Sequence, residues 1–173
     1  MPGMVEGELS GTVIYLCEHG EHGALGLVIN RPIDMTLGHL LEKVDMQAED
    51  EDADAVPVHF GGPVHTDRGF VLHQPAGDYS SSIRLANEMA LTTSRDVLTA
   101  VAAGEGPPRL FVTLGYAGWG AGQLEQELAQ NAWLSVPADE TIIFETPVQS
   151  RYPAAIRLLG IDPAMLAGSA GHA

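Results

Sequence analysis

Basic residues are scarce in this chain of 173 residues: Lys and Arg together number eight, and Lys43 is the only lysine. Against 23 Asp and Glu they leave a formal net charge of −15. Nucleic-acid affinity rests on Lys and Arg displacing condensed counterions, so this field repels a phosphate backbone. The arginines are scattered from Arg31 to Arg157 and form no basic stripe, which disfavours direct DNA or RNA binding. The charge is read as a solubility device rather than a lure for a basic partner. Cysteine is also nearly absent, and with Cys17 alone no intramolecular disulfide can form. No apolar run approaches the length of about 18 residues that a membrane span needs. The opening Met1-Pro-Gly-Met-Val-Glu-Gly-Glu8 has no charged region followed by an apolar one, so no secretory signal is expected and the cytoplasm is the expected location.

What remains is ordinary globular material: 45% hydrophobic and 18% charged residues, away from the corner where chains stay disordered. A single domain of this length buries roughly 70% of the surface of its unfolded chain. Thr12–Cys17 (TVIYLC) and 24–30 (ALGLVIN) read as strands of a hairpin around the polar turn 18–23, the second stopped by Arg31-Pro32. Thr36 opens a short helix with Leu37, Leu40, Leu41 and Val44 at helical spacing. The like-charged run 49–54 reads as a solvated loop, with 48–55 among the most mobile residues; it lacks the register of a calcium loop.

Val56–Phe60 and its partner 69–73 are expected strands, as is 82–85; Thr93-Ser94 caps a helix through Ala103, with Asp96 in its first turn. Arg109–Leu114 (RLFVTL) is a core strand leading into a glycine-rich loop, 115–122, and a helix from Gln123. Thr141–Phe144 reads as a further strand, and Pro153 as the start of a last helix ending at Gly160. Hairpin pairs interleaved with crossovers predict an α+β chain with a mixed sheet.

The glycine corners are where a ligand could sit, because glycine lets a backbone approach closely. They nominate Asn30, Arg31, Gly61, Gly62, Pro63, Gly115, Tyr116, Gly118, Trp119 and Gly120 as candidate ligand-binding residues. At 115–122 the spacing is neither G-x-G-x-x-G nor a phosphate loop, and Glu125 and Glu127 would oppose a phosphate, so a tight packed corner with a buried Trp119 is the favoured reading. His19 and His22 lie in a turn, not on a helix that would bring both to one metal, and no metal or other cofactor is expected. Cys17 closes an apolar strand and reads as buried and inert; a Cys17–His19 nucleophile is the alternative. His59 and His73 read as core or edge histidines beside a second glycine corner that also holds His65. No G-x-S-x-G occurs, and no catalytic residues are assigned.

Several motifs occur in order: Met1-Pro-Gly-Met4, Tyr15-Leu-Cys-Glu-His19, Gly23-Ala-Leu-Gly-Leu-Val-Ile-Asn-Arg-Pro32 and Phe60-Gly-Gly-Pro-Val64. They continue with Gly69-Phe-Val-Leu-His73, Leu114-Gly-Tyr-Ala-Gly-Trp-Gly-Ala-Gly-Gln-Leu-Glu125, Asn131-Ala-Trp-Leu134, Leu159-Gly-Ile-Asp162 and Gly171-His-Ala173. On these residues the chain resembles the YqgE/AlgH family of bacterial proteins along essentially its whole length. The resemblance implies a mixed, partly barrel-like sheet surrounded by helices. One branch of the family has been called a transcriptional regulator of alginate production, and the resemblance supplies no catalytic residues. Relatives usually carry a short apolar segment before Met-Pro-Gly-Met, whereas here Met1 opens the motif, and positions 6–12 depart from the usual pattern. The expected function is that of a non-enzymatic regulatory or interaction protein acting through a protein partner or small ligand. The alternative is a small-molecule binder or enzyme with a pocket between loops 60–64 and 115–122.

Overall fold

The structure, a computed structural model, describes residues 11–48 and 51–160. Strands β1 (Ile14–Gly20), β2 (Gly23–Val28) and β3 (Pro32–Thr36) precede helix α1 (Leu37–Lys43) and a 3₁₀ turn, Glu51–Ala55. Then come β4 (Pro57–Phe60), β5 (Val64–Gln74), β6 (Ser82–Arg84), β7 (Ala90–Thr92) and α2 (Arg95–Ala102). The long strand β8 (Arg109–Trp119) leads to α3 (Gln123–Ala129), α4 (Glu140–Phe144) and α5 (Val148–Arg157). The chain is α+β, as its pattern implies. It divides into two compact units, one holding residues up to 31, 61–64 and 116 onward, the other holding 32–60 and 65–115.

In the first unit β1 and β2 form the expected hairpin, antiparallel from Ile14↔Val28 to Gly20↔Gly23. The turn is tighter than the sequence suggests: the polar residues Glu18 to Gly20 stay in the ladder, and only Glu21 and His22 separate the strands. A bulge between Leu16 and Glu18 leaves Cys17 as the extra residue. β2 also pairs antiparallel with the end of β8, Ala24↔Trp119 to Gly26↔Ala117. The expected glycine loop at 115–122 is therefore mostly strand, and only 120–122 connect β8 to α3. Ladder hydrogen bonds outweigh the weak strand propensity of Gly115 and Gly118 there. Ala117, Trp119, Leu124, Ala132 and Trp133 make this unit's buried cluster.

In the second unit Thr36 caps α1, its hydroxyl accepting from the His39 amide at 3.2 Å, and turns Leu37, Leu40 and Leu41 inward. They pack with Val58, Val71, Val97 and Val112 into one apolar core. β4 runs parallel to β8 (Val58↔Val112 to Phe60↔Leu114) and antiparallel to β3. This parallel pair makes the strand arrangement mixed. β5 pairs with β7 rather than with β4, as the sequence reading had it, and β6 lies on β7's other side. Both β3 and β7 escape the sequence reading because Pro32 and the short Ala90–Thr92 segment mask them.

Two further expectations are corrected. Thr141–Phe144, β-branched and aromatic, is helical in α4, because the Asp139 carboxylate accepts from the Thr141 amide at 2.9 Å and caps the turn. Pro153 lies inside α5, which begins at Val148 behind Pro147. The acidic run expected as a solvated loop includes residues 49 and 50, outside the described residues; Ala53 in the 3₁₀ turn is buried in the core.

Candidate functional site

A cleft of about 370 Å³ opens in the first unit. One wall is β1, where the strand period puts Ile14 and Leu16 on the same face. Opposite come Trp119 from the end of β8, and Leu124 and Leu128, four residues apart on α3 and so on one side of that helix. Trp133 and Leu134 follow α3, and Ile142 from α4 and Ile156 from α5 complete the lining.

The exposure pattern sets this cleft apart. Three large hydrophobic side chains are exposed among the described residues, Leu16 (39%), Leu134 (38%) and Leu158 (44%), and all three line it. Scattered single leucines on a surface need no explanation; three converging on one concavity do.

A carboxylate fixes the aromatic wall. Glu127 Oε1 accepts from Trp119 Nε1 at 3.1 Å and from Trp133 Nε1 at 2.8 Å, while Gln123 donates to Oε2 at 3.0 Å. The two indoles meet edge to face with centroids 5.8 Å apart. Both rings are nearly buried, so each N–H needs this acceptor. Arg151 fastens α5 to the same unit, donating through Nη1 to the Ile29 carbonyl at 2.5 Å and through Nε to that of Thr146 at 2.9 Å.

The polar groups in the lining are few: Tyr15, Tyr152, Asp139, Thr12 and Ser135. Burial raises the phenol of Tyr15, with smaller contributions from Cys17 and Glu140, and burial raises that of Tyr152. Both therefore stay protonated at neutral pH and can donate one hydrogen bond each. An apolar concavity of this size with a few polar groups is the ordinary form of a small-molecule site.

Of the residues nominated by the sequence, Trp119 is the one that lines this cleft, and it is buried as expected. Asn30 works as a staple, its Oδ1 accepting from the Val13 amide at 2.8 Å and its Nδ2 donating to the Gly11 carbonyl at 3.1 Å. Arg31 is half-buried and Pro63 exposed. The Gly61 carbonyl accepts from the Val28 amide at 2.8 Å. Gly62 lies against Tyr116: at φ +150°, a Cβ there would sit 2.1 Å from the Tyr116 carbonyl carbon. Main chain meets main chain at that point, which only glycine permits. Gly115 belongs to the other unit, where its carbonyl accepts from Thr113 Oγ1. Gly118 is exposed in β8, and the Gly120 amide donates to Gln123 Oε1 at 2.9 Å.

His19 pairs with Glu125 at 2.5 Å, and His22 is exposed beside Glu21. Cys17 is half-buried rather than buried, and its thiol is pushed up to about 12 by desolvation and then by Glu18. With its imidazole engaged by Glu125 and the thiol held protonated, a Cys17–His19 nucleophile has no support. His59 is buried and stacks on Phe111 with centroids 4.2 Å apart. His65 is exposed, whereas His73 is fully buried. The cleft was missed because its lining comes from five separated stretches, each of which reads alone as ordinary core.

The family model for DUF179, described as AlgH-like, matches residues 1–164. A UPF0301 protein from Bordetella avium is 70% identical over 173 residues, covering 100% of this chain and 87% of that protein. One from Ralstonia nicotianae is 59% identical over 173 residues, covering 100% and 91%. The solution structure of the AlgH protein from Pseudomonas aeruginosa superposes with a TM-score of 0.82 at 48% identity, covering 100% of this chain and 92% of that one. The crystal structure of protein DIP2367 from Corynebacterium diphtheriae, 19% identical, shares the fold at a TM-score of 0.71 and covers 98% and 86%. No helix among the described residues is long and apolar enough to cross a membrane. By the family model and by relatives matched along its entire length, the chain belongs to the AlgH-like family.

Proposed function

We propose that this protein works by binding: the cleft of its first unit holds a small molecule with an apolar body and a neutral or cationic polar end. The observation that carries this is the convergence of Leu16, Leu134 and Leu158 on one apolar concavity backed by a fixed pair of indoles. The polar end follows from the lining. Two protonated phenols can donate to an acceptor, and the Asp139 carboxylate in the lining disfavours an anion. The regulatory role implied by the resemblance would then be exercised on a protein partner, through apolar surface that the ligand covers or rearranges. Direct contact with nucleic acid is disfavoured by the charge, and a low-salt filter-binding assay with duplex DNA is expected to show none.

The test uses Nile red, a neutral solvatochromic dye. Saturable blue-shifted emission is expected with the native protein, and loss of it with Leu16→Asp and with Leu158→Asp, both exposed positions that leave the core intact. Equal dye binding by both variants, at unchanged melting temperature, would remove the cleft from the account.

A further inference from the structure

The second unit holds a chain of hydroxyls that the cleft does not use. His73 and Thr92 are fully buried on paired strands β5 and β7, and Ser82 lies opposite Thr92 on β6. His73 Nδ1 is 2.9 Å from the Pro75 carbonyl, His73 Nε2 is 2.6 Å from Thr92 Oγ1, and Thr92 Oγ1 is 2.7 Å from Ser82 Oγ.

Chemistry orients every bond in this chain. A carbonyl oxygen can only accept, so Nδ1 of His73 carries the ring proton. Nε2 of the neutral ring then has a lone pair, and Thr92 must donate to it. With its single proton committed, Thr92 can only accept from Ser82. The Ser82 hydroxyl has one other acceptor in reach, the Tyr79 carbonyl, at the longer distance of 3.4 Å. Burial lowers the basicity of His73, which keeps the ring neutral and Nε2 open at neutral pH.

The surface end of the chain opens on a polar pocket of about 300 Å³ lined by Tyr79, Ser80, Ser82 and Arg84, among others. Ser82 and Arg84, two residues apart on β6, face the same way. The guanidinium donates to the Gly77 carbonyl at 3.2 Å and lies 3.7 Å from Asp78, which is fully exposed. Solvent screens that ion pair, so Asp78 holds the guanidinium only weakly and leaves it able to meet an incoming carboxylate.

From this geometry we infer that Ser82 is a nucleophile served by a Thr92–His73 proton relay, acting on small carboxylic esters that carry an anionic group. Ser82 Oγ attacks the ester carbonyl; its proton passes to Thr92 Oγ1 as the Thr92 proton passes to His73 Nε2. The carbon–alkoxide bond breaks, the relay returns the proton to the departing alkoxide, and an alcohol leaves. An acyl group remains on Ser82, and water releases it by the same relay.

A fluorophosphonate probe tests this on the full-length chain, with the site read by peptide mass spectrometry. Attack forms the Ser82 Oγ–phosphorus bond and expels fluoride. Labelling is expected at Ser82 and not at its neighbours Ser80 and Ser81, which serve as internal controls in every sample. Thr92→Val should slow it about 100-fold, the scale of positioned base catalysis, while Thr92→Ser restores most of the rate. Equal labelling of Ser80, Ser81 and Ser82, or no labelling, overturns the inference. So does a Thr92→Val protein of native far-UV spectrum that labels at the original rate. If Thr92→Val does not fold, the comparison among the three serines still decides.

Discussion

Replacing Glu127 by alanine removes the one carboxylate that both indoles of the cleft wall donate to. Trp119 and Trp133 are 7% and 9% exposed, so neither N–H gains free access to water when its acceptor goes. A buried donor left unsatisfied costs about 1–3 kcal/mol, so the two together put the loss at about 2–6 kcal/mol. For a chain of this size each kcal/mol moves the midpoint of thermal unfolding by about 2–4 °C, which predicts a fall of about 4–24 °C. Circular dichroism at 222 nm measures the midpoint, and the near-UV signal of the two coupled indoles should collapse toward that of isolated rings. Glu127→Gln keeps one acceptor oxygen for the indoles but loses the charge and the oxygen that accepts from Gln123, and it should fall by about half as much. A Glu127→Ala protein melting within about 2 °C of the original, with its near-UV bands intact, would refute the reasoning.

Gly62→Ala should destabilise by about 3 kcal/mol or more, read as a lower urea midpoint, because its Cβ would overlap the Tyr116 backbone; a loss under about 0.5 kcal/mol would deny that contact. Cys17, with a thiol near 12, should react with iodoacetamide at pH 8 about 100- to 1000-fold more slowly in the native protein than in urea. Rapid native labelling would show a thiolate that the burial argument excludes. His73 has a folded basicity below its ordinary value of 6.5, so the unfolded chain takes up a proton first as pH falls. Stability contributed by this group is therefore present above pH 6.5 and declines from there down to the folded value. Denaturation of the native protein and of His73→Gln across pH 7.5 to 4.5 should show the variant with the shallower slope, and parallel slopes would contradict the sign.

Much of the fold was legible because local and tertiary preferences agree. TVIYLC, ALGLVIN and RLFVTL are apolar, β-branched stretches that become strands, and Ser94 and Thr36 stand at helix starts. Where they disagree, local reading fails. Gly115–Trp119 looks like a loop by propensity, but the β2 ladder and the burial of Ala117 and Trp119 hold it as strand. Thr141–Phe144 looks like a strand until Asp139 is seen capping it. Proline marked a boundary as expected, but at Pro147 rather than Pro153.

The candidate site was legible only at Trp119. Glycines drew attention to corners, and at Gly62 the corner is one where two main chains touch. The leucines that mark the cleft carry no signal in sequence, since Leu16, Leu134 and Leu158 look like any core leucine. The His73 relay was equally hidden, because Ser82, Thr92 and His73 meet only through the pairing of three strands.

Native mass spectrometry of the protein, gently purified from its own cells, tests the binding account most directly. The account predicts a reproducible adduct of one apolar small molecule per chain, retained by Ser82→Ala and lost from Leu158→Asp. A bare chain across repeated preparations, or an adduct that Leu158→Asp keeps in full, would contradict it.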